Sequence, residues 1–341
     1  MLGRGLLFLN FILKEVKVME MVKQIALLVI GMVFLVKGAD WFVEGASNIA
    51  RAMKIPTLII GLTLVSMGTS APELSVSITS AIQKANGMCF GNVIGSNIFN
   101  TFLIIGISAL IIPLVISSDV KKFDIPIMVA LYAIVLVFGF VISPNVIAWY
   151  EGLIMLILFL GYMVTLFLRS KKSGDMDVEE DKPIPPMWKN ILFSVLGIAG
   201  IVIGGNFVVD SASYIAVVFG MGETLVGLTI VAIGTSLPEL VTSVVAAIKK
   251  ENDIAVGNVI GSNIFNIVLI LGVSAIINPL SGMGTNDFID LVVLLVSGVA
   301  IALIAFLSKN VKKWQGGLFV LAYIAYTTYI ILRQVIANQG I

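Results

Sequence analysis

The chain repeats one polar segment, and this repeat constrains its fold more than any other feature. Residues 68–100, GTSAPELSVSITSAIQKANGMCFGNVIGSNIFN, return at 234–266 as GTSLPELVTSVVAAIKKENDIAVGNVIGSNIFN. The offset is 166 residues without a gap, and 21 of the 33 positions are identical. The identities include Gly, Pro, Ser, Thr, Asn and one Glu, the residues that hydrocarbon tolerates least. The sequence therefore predicts two copies of one structural unit.

The composition places both copies in a membrane. Hydrophobic residues make up 59% of the chain, charged residues 12%, and the mean hydropathy is +1.08. A helix needs about 20 apolar residues to cross a bilayer. Ten runs of suitable length lie at 22–43, 57–83, 89–112, 125–143, 147–168, 189–209, 223–248, 254–277, 287–307 and 315–336. We therefore expect an all-α polytopic membrane protein with ten transmembrane helices.

Five predicted spans fall in each half of the chain. An odd number of spans per unit inserts the second copy upside down, as in secondary transporters built from inverted repeats. We expect a first five-helix repeat at 22–168, a linker at 169–188, and a second repeat at 189–341, with spans two and seven broken. The linker is charged and contains prolines, which indicates a solvated chain. A regulatory cation site in its acidic run is the less favoured alternative.

Basic residues indicate the orientation in the membrane. The loops after the odd-numbered spans carry 14 Lys and Arg residues, against six on the other side. The basic side is expected to be cytoplasmic, with both termini outside a cell (inner or plasma) membrane. Residues 1–21 form an N-terminal extension that fits a removed signal-like segment, an interfacial helix or an upstream extension of the true start. The net charge of +1 indicates no nucleic-acid partner, and no obligatory protein partner is evident.

A carboxylate lies deep inside each broken span. Glu73 and Glu239 are far from either predicted interface, where an ionised side chain costs roughly 2.5 to 3.5 kcal/mol and usually marks an ion or proton pathway. Before the first of them, Gly68 and Pro72 interrupt the helix, and Ser70 is placed to cap the segment that follows. Such a break is expected to turn backbone carbonyls inward as ligands.

Spans three and eight supply further polar side chains. Within each span a Ser and an Asn lie four residues apart and therefore share one helical face, whereas the glycines of the GxxxG patterns at 91–95 and 257–261 indicate close helix packing. We predict that all these groups meet in one cavity at the membrane midplane. The predicted set is Glu73, Glu239, Asn100, Asn266, Thr69, Thr235, Ser70, Ser236, Ser96 and Ser262, together with the carbonyls of Ser66 and Ala232.

The predicted ligands are oxygen atoms. The chain contains no His and a single Cys, so hard cations such as Ca²⁺ and Na⁺ fit better than Zn²⁺, Cu or Ni. No nucleophile–base pair or catalytic metal constellation supports an enzyme, and we expect no resident cofactor. The residues alone predict a transporter of alkali or alkaline-earth cations, with the ions and their coupling left open.

The paired stretches GTSAPELSVS…GNVIGSNIFN and GTSLPELVTS…GNVIGSNIFN resemble the two alpha-repeats of the sodium/calcium exchanger family. This resemblance implies an antiporter in which Na⁺ entry drives Ca²⁺ exit electrogenically, with ligands at the ten side chains named above. Some relatives, including potassium-dependent ones, have Asp where this chain has Asn266, which implies K⁺-independent exchange here. A Ca²⁺/H⁺ antiporter is the main alternative, and a cation channel is a weaker one.

Overall fold

The computed structural model describes residues 2–172, 185–219, 232–308 and 310–339. This part of the chain is helical apart from turns and four two-residue strands. Its elements, in chain order, are α1 (Leu2–Met53), α2 (Thr57–Ile60), α3 (Ser66–Thr69), α4 (Ala71–Ile82), α5 (Asn86–Ile98), α6 (Ile105–Ile111), β1 (Leu114–Val115), α7 (Ile125–Val137), β2 (Val146–Ile147), α8 (Trp149–Lys172), α9 (Met187–Val218), α10 (Ala232–Thr235), α11 (Leu237–Ile248), α12 (Asn252–Phe265), α13 (Gly272–Ile277), β3 (Leu280–Ser281), α14 (Thr285–Leu307), β4 (Asn310–Val311) and α15 (Lys313–Gln339). Five π-helical stretches connect some of them, at Gly61–Val65, Phe99–Ile104, Val120–Asp124, Phe138–Ile142 and Asn266–Leu271.

Eight helices among the described residues are long and apolar enough to cross a membrane. They are Met19–Met53, Asn86–Ile111, Val120–Ile142, Trp149–Lys171, Met187–Val218, Asn252–Ile277, Thr285–Leu307 and Lys313–Gln334. A ninth candidate is the pair Thr57–Thr69 and Ala71–Ile82, which is bent by 49°. The prediction of an all-α polytopic membrane protein is therefore confirmed.

Two predicted segments fall partly outside the described residues. The seventh predicted span, 223–248, includes residues 223–231, and only its second part is described, as α10 and α11. The predicted linker, 169–188, is described only at its two ends. At the N-terminus, α1 begins at Leu2, so the first helix runs through most of the extension predicted at 1–21.

The polar repeats lie on the most enclosed helices. Of the apolar window in Asn86–Ile111, 72% is buried, and of that in Asn252–Ile277, 78%, whereas the other six candidate spans have between 11% and 39% buried. These two spans carry the second part of each repeat. Their position at the centre of the bundle explains how polar side chains are kept away from lipid.

Glycines let α1 and α9 pack against each other at backbone distance. A Cβ on Gly38 would lie 2.7 Å from the backbone nitrogen of Ile201, and one on Gly204 would lie 2.7 Å from the carbonyl oxygen of Gly31. Small residues of this kind permit close helix contacts in membranes. The two helices therefore form one tightly joined pair beside the polar centre.

The GxxxG prediction is confirmed for the second copy. A Cβ on Gly257 would lie 3.1 Å from the Cα of Gly61, and one on Gly261 would lie 2.7 Å from the Oγ of Ser66. In the first copy, no described atom lies within 4 Å of a Cβ built on Gly91 or Gly95. The segment that the offset matches to 54–65 is 220–231, which lies outside the described residues, so the first-copy prediction stays untested.

Two short antiparallel ribbons connect the halves of the chain. β1 pairs with β4, and β2 pairs with β3, with Leu114 opposite Val311 and Val146 opposite Ser281. The 166-residue offset carries the start of β1 onto the start of β3. Each ribbon therefore takes one strand from each half.

A buried ion pair links α8 to the start of the fourth span. Arg169 donates from Nη1 to Oδ1 of Asp124 at 2.7 Å and from Nη2 to Oδ2 at 3.0 Å, and the hydroxyl of Tyr162 donates to the same carboxylate at 3.0 Å. The second half repeats this arrangement with Arg333, Tyr326 and Asp290, at 3.1 Å for all three hydrogen bonds. The likeness of the two halves thus extends beyond the polar segments, although sequence reasoning did not find these triads.

Candidate cation site

Each of the two buried carboxylates accepts a hydrogen bond from the opposite half of the chain. Glu73 lies in the first turn of α4 and Glu239 in the first turn of α11, and neither is exposed to solvent. The Oγ of Ser236 donates to Oε1 of Glu73 at 2.9 Å, and the Oγ of Ser70 donates to Oε1 of Glu239 at 2.8 Å. The two helix breaks therefore meet at one place.

Both helix breaks occur where the sequence places them. Ser70 has φ −82° and ψ 7°, and Ser236 has φ −93° and ψ 5°, which interrupts the helix before Pro72 and Pro238 respectively. Each proline is then the second residue of a new helix, where its missing N–H costs no hydrogen bond. The capping role predicted for Ser70 is wrong: it occupies the cap position, but its hydroxyl makes no capping hydrogen bond, because it donates to Glu239 instead.

One oxygen of each carboxylate has no hydrogen-bond partner within the described residues. The Oε2 atoms of Glu73 and Glu239 are buried and accept no hydrogen bond from the described residues. No ion pair in the described part of the chain involves either side chain. An unpaired ionised carboxylate in a protein interior is strongly unfavourable, so each of these groups needs either a bound cation or a proton.

Hydroxyl groups surround the two carboxylates. Ser96 interacts with Glu73, while Thr69 and Ser262 interact with Glu239. Three hydroxyl-bearing residues of the first repeat, Thr69, Ser70 and Ser96, therefore lie beside the two carboxylates. In the second repeat, the hydroxyl of Thr235 donates to Oδ1 of Asn92 at 3.4 Å.

The two predicted backbone ligands differ in their hydrogen bonding. The Ser66 carbonyl is not free, because it accepts from the Ser70 amide at 3.0 Å and from the Ser262 hydroxyl at 3.4 Å. In the second copy, the amide of Ser236 donates to the carbonyl of Ile233 at 3.1 Å instead of to that of Ala232. The two halves therefore do not present their carbonyls in the same way.

Two asparagines that the sequence analysis left out hold the breaks in place. Asn92 donates from Nδ2 to the carbonyl of Glu73 at 3.1 Å and to Oγ of Ser77 at 2.9 Å. Asn258 makes the same pair of bonds to the Glu239 carbonyl at 3.3 Å and to Oγ of Ser243 at 2.9 Å, and its Oδ1 accepts from Thr69 at 3.0 Å. Their spacing could have revealed them, because Asn92, Ser96 and Asn100 lie four residues apart on one face.

The predicted asparagine ligands lie in π-helical turns. Asn100 is in Phe99–Ile104, Asn266 begins Asn266–Leu271, and both are fully buried. Such turns occur frequently at functional sites. Both polar atoms of the Asn100 side chain, and the Oδ1 of Asn266, lack a hydrogen-bond partner among the described residues. These oxygens are available to a ligand.

A cavity lies beside the helix break that precedes Glu239. Its volume is about 400 Å³, and its described lining includes Ala71 and Val76 of α4, Asn206 and Asp210 of α9, and Thr235. Thr235 and the neighbouring Pro238 connect this lining to the helix break that precedes Glu239. The cavity therefore borders one end of the buried polar cluster.

Comparison with known proteins identifies the family. The sequence model of the sodium/calcium exchanger protein family matches twice, at residues 23–168 and 189–332. The sodium/calcium exchanger MaX1 of Methanosarcina acetivorans is 37% identical over 340 residues, covering 88% of this chain and 96% of that protein. The inner membrane protein YrbG of Escherichia coli is 37% identical over 267 residues, covering 74% and 80% respectively.

Solved structures give the same result. The sodium-calcium exchanger NCX_Mj, in crystals soaked with 2.5 mM Na⁺ and 0.1 mM Ca²⁺, matches with a TM-score of 0.78 and 31% sequence identity, covering 89% of this chain and 96% of that one. The family contains exchangers, so the chain belongs to a family of transporters. By these matches, the chain belongs to the sodium/calcium exchanger family.

Proposed function

We propose that this protein is an electrogenic Na⁺/Ca²⁺ antiporter that works by alternating access and does not require K⁺. The observation that carries the proposal is the pair of buried carboxylates, Glu73 and Glu239, each bound by a serine of the other half. Each keeps one oxygen without a hydrogen-bond partner in the described part of the chain. Two carboxylates can balance the charge of one Ca²⁺, and hydroxyl, amide and carbonyl oxygens complete a hard-cation cage.

Exchange follows from competition for this cage. Ca²⁺ and Na⁺ both prefer oxygen ligands, so Na⁺ ions that enter the cage displace Ca²⁺ from it. The ligands we propose are the ten side chains that the sequence predicted, with the carbonyls of Ser66 and Ala232. The proposed substrates are Ca²⁺ and Na⁺, bound near the membrane midplane.

We further propose ten transmembrane helices in two inverted repeats, at 22–168 and 189–341, joined by a cytoplasmic linker at 169–188. The reciprocal ribbons, the doubled Asp–Tyr–Arg triads and the double family match support this arrangement. With both termini outside, the cavity beside α4 and α9 lies in the outer half of the membrane. The Ca²⁺ site would then be reached from outside in this conformation.

Contacts on the proposed cytoplasmic side fit this assignment. The Nζ of Lys249, just after α11, lies 2.7 Å from Oδ1 of Asp40 and 3.9 Å from Oε2 of Glu44, both on α1. Nearby, Arg51 pairs with Glu251 at 3.5 Å. The 166-residue offset matches Lys249 to Gln83 and Arg51 to Val217, which cannot form these ion pairs. The ionic contacts therefore favour closure on one side only.

Ion-swapping flux in proteoliposomes tests this function. Purified protein is reconstituted, and ⁴⁵Ca²⁺ uptake is followed with an outward Na⁺, K⁺ or H⁺ gradient imposed singly. We expect uptake with the Na⁺ gradient alone, and an acceleration by an inside-positive potential if more than two Na⁺ exchange for each Ca²⁺. Uptake driven by H⁺ and not by Na⁺ would instead establish a Ca²⁺/H⁺ antiporter, and uptake without any counter-gradient would indicate a channel.

A further inference from the structure

Four asparagines are buried where the two central spans contact each other: Asn97, Asn100, Asn263 and Asn266. Only Asn100 and Asn266 belong to the predicted ligand set. Asn97 and Asn263 follow the site serines directly, and both are fully buried. Their positions lie one residue beyond the ligand face, so neither was expected to contact a cation. Asn97 is nevertheless bonded directly to a proposed ligand, Asn266.

The side chain of Asn97 has only one allowed orientation. Its Nδ2 donates to the backbone carbonyl of Asn263 at 3.0 Å. A carbonyl only accepts hydrogen bonds, so the nitrogen of Asn97 must face it and the oxygen must point the other way. That oxygen accepts from Nδ2 of Asn266 at 2.9 Å.

The same reasoning fixes Asn266. Because its nitrogen faces Oδ1 of Asn97, its own Oδ1 points away from Asn97, and this oxygen is buried without a hydrogen-bond partner among the described residues. Asn266 also lies four residues after Ser262 and eight after Asn258, on the face that contacts Glu239. An amide turned the other way would present N–H groups, which repel a cation, instead of an oxygen, which binds it.

We propose that Asn97 is a positioning residue that turns the amide oxygen of Asn266 into the cation site. This inference rests on the proposed function, and it names how one ligand of that site is oriented. The backbone carbonyl of Asn263 fixes the orientation of the Asn97 amide. The Asn97 oxygen in turn fixes the orientation of the Asn266 amide, so that the Asn266 oxygen faces the site. We call this pair of hydrogen bonds the relay. Asn97 itself does not touch the ion.

The corresponding relay in the other direction is not formed. The Nδ2 of Asn263 donates to Oγ1 of Thr101 at 2.9 Å, and its Oδ1 has no described hydrogen-bond partner. Asn100, the counterpart of Asn266, has neither polar atom bonded within the described residues. The orienting contact therefore acts on one of the two asparagine ligands in this conformation.

The test measures equilibrium ⁴⁵Ca²⁺ binding to the purified full-length protein in detergent, with Na⁺ absent and then added as competitor. Asn97→Ala removes the acceptor, so Asn266 can turn its nitrogen toward the ion. We expect Ca²⁺ affinity to fall about tenfold, the usual effect of losing one interaction with a charged group. If the alanine variant does not fold, Asn97→Leu removes the same acceptor at nearly constant volume.

A second background separates orientation from packing. In Asn266→Asp, both terminal atoms of residue 266 are oxygens, so no turn of the group can present N–H to the ion. Adding Asn97→Ala in this background should change Ca²⁺ affinity by less than about twofold, the size of one weak neutral contact. Asn263→Ala is the matched control. It removes a side chain of the same size from the same helix contact, but it keeps the backbone carbonyl that accepts from Asn97. It should also stay within about twofold of the parent.

Each result has a distinct meaning. If Asn97→Ala lowers Ca²⁺ affinity when residue 266 is Asn but not when it is Asp, the relay is supported. An equal tenfold loss in both backgrounds, or no loss in either, overturns it while leaving the exchanger proposal intact. Absence of Ca²⁺ binding by the unmodified protein, in a folded and monodisperse sample, would overturn the proposed function and the relay with it.

Discussion

Removing Arg169 should destabilise the protein far more than removing its counterpart Arg333. In the first triad the side chain of Asp124 is fully buried and that of Arg169 is 16% exposed, whereas in the second Asp290 is 15% exposed and Arg333 is 23% exposed. The first pair is also shorter, at 2.7 Å against 3.1 Å. The first carboxylate therefore depends more strongly on its partner.

The magnitude follows from the burial of the charge left behind. Breaking a fully buried pair costs about 3–5 kcal/mol, because the remaining ion loses both water and its partner. For the Asp290–Arg333 pair, which is partly exposed, about 1–2 kcal/mol is expected. Arg169→Leu should thus lower the apparent Tm by roughly 10 °C, and Arg333→Leu by roughly 3 °C.

The assay is thermal unfolding of purified variants in one detergent at one scan rate, since membrane proteins often unfold irreversibly. The double variant Asp124→Asn with Arg169→Leu removes the charge but keeps an acceptor for Tyr162, so it should recover most of the lost stability. Equal Tm shifts for the two arginine variants, or no recovery in the double variant, would refute the reasoning from burial.

Three further predictions concern transport. Replacing residues 172–182 with a Gly/Ser chain of equal length should preserve ⁴⁵Ca²⁺ uptake, because flexible linkers set reach rather than chemistry; loss of uptake in a correctly inserted protein would assign the acidic run a regulatory role. Na⁺-driven uptake should be the same with K⁺ or choline outside under voltage clamp, and Asn266→Asp should alter cation selectivity, because it adds a carboxyl group to the site; a strict K⁺ requirement in the unmodified protein would contradict this. Lys249→Met removes the contacts to Asp40 and Glu44. A cysteine placed at Ser66 should then be labelled faster by a thiol reagent added from the cytoplasmic side. Unchanged labelling would show that these contacts do not hold the site closed.

Much of the fold was predictable because hydrocarbon permits few alternatives. The apolar runs identify spanning helices, since only helices satisfy the backbone within each segment. The breaks before Glu73 and Glu239 were predictable too, because proline cannot donate the hydrogen bond that a continuous helix requires. Their meeting at one place follows from the same motif occurring in both halves.

Other features depend on distances that a single sequence does not contain. Asn92 and Asn258 looked like parts of a packing motif, and only their contacts with the carbonyls of Glu73 and Glu239 show their role. From the sequence, Arg169 was counted as a basic loop residue, but in the structure it forms an ion pair with Asp124, 45 positions earlier. The hydroxyl of Ser70 could satisfy either an amide or a carboxylate, and the approach of Glu239 from the other half decided between them.

The central claim is that Glu73 and Glu239 bind Ca²⁺ together, and isosteric substitution tests it most directly. Glu73→Gln and Glu239→Gln each keep an oxygen for the bound serine but remove one of two charges that balance the divalent ion in a poorly screened cavity. Glu151→Gln is the matched control, since Glu151 is also buried, but its two oxygens accept hydrogen bonds from Ser143 and from the amide of Ala148. Na⁺-gradient-driven ⁴⁵Ca²⁺ uptake in proteoliposomes should be lost in both site variants and kept in the control. Near-normal uptake by either site variant, in a folded and reconstituted protein, would contradict the paired site.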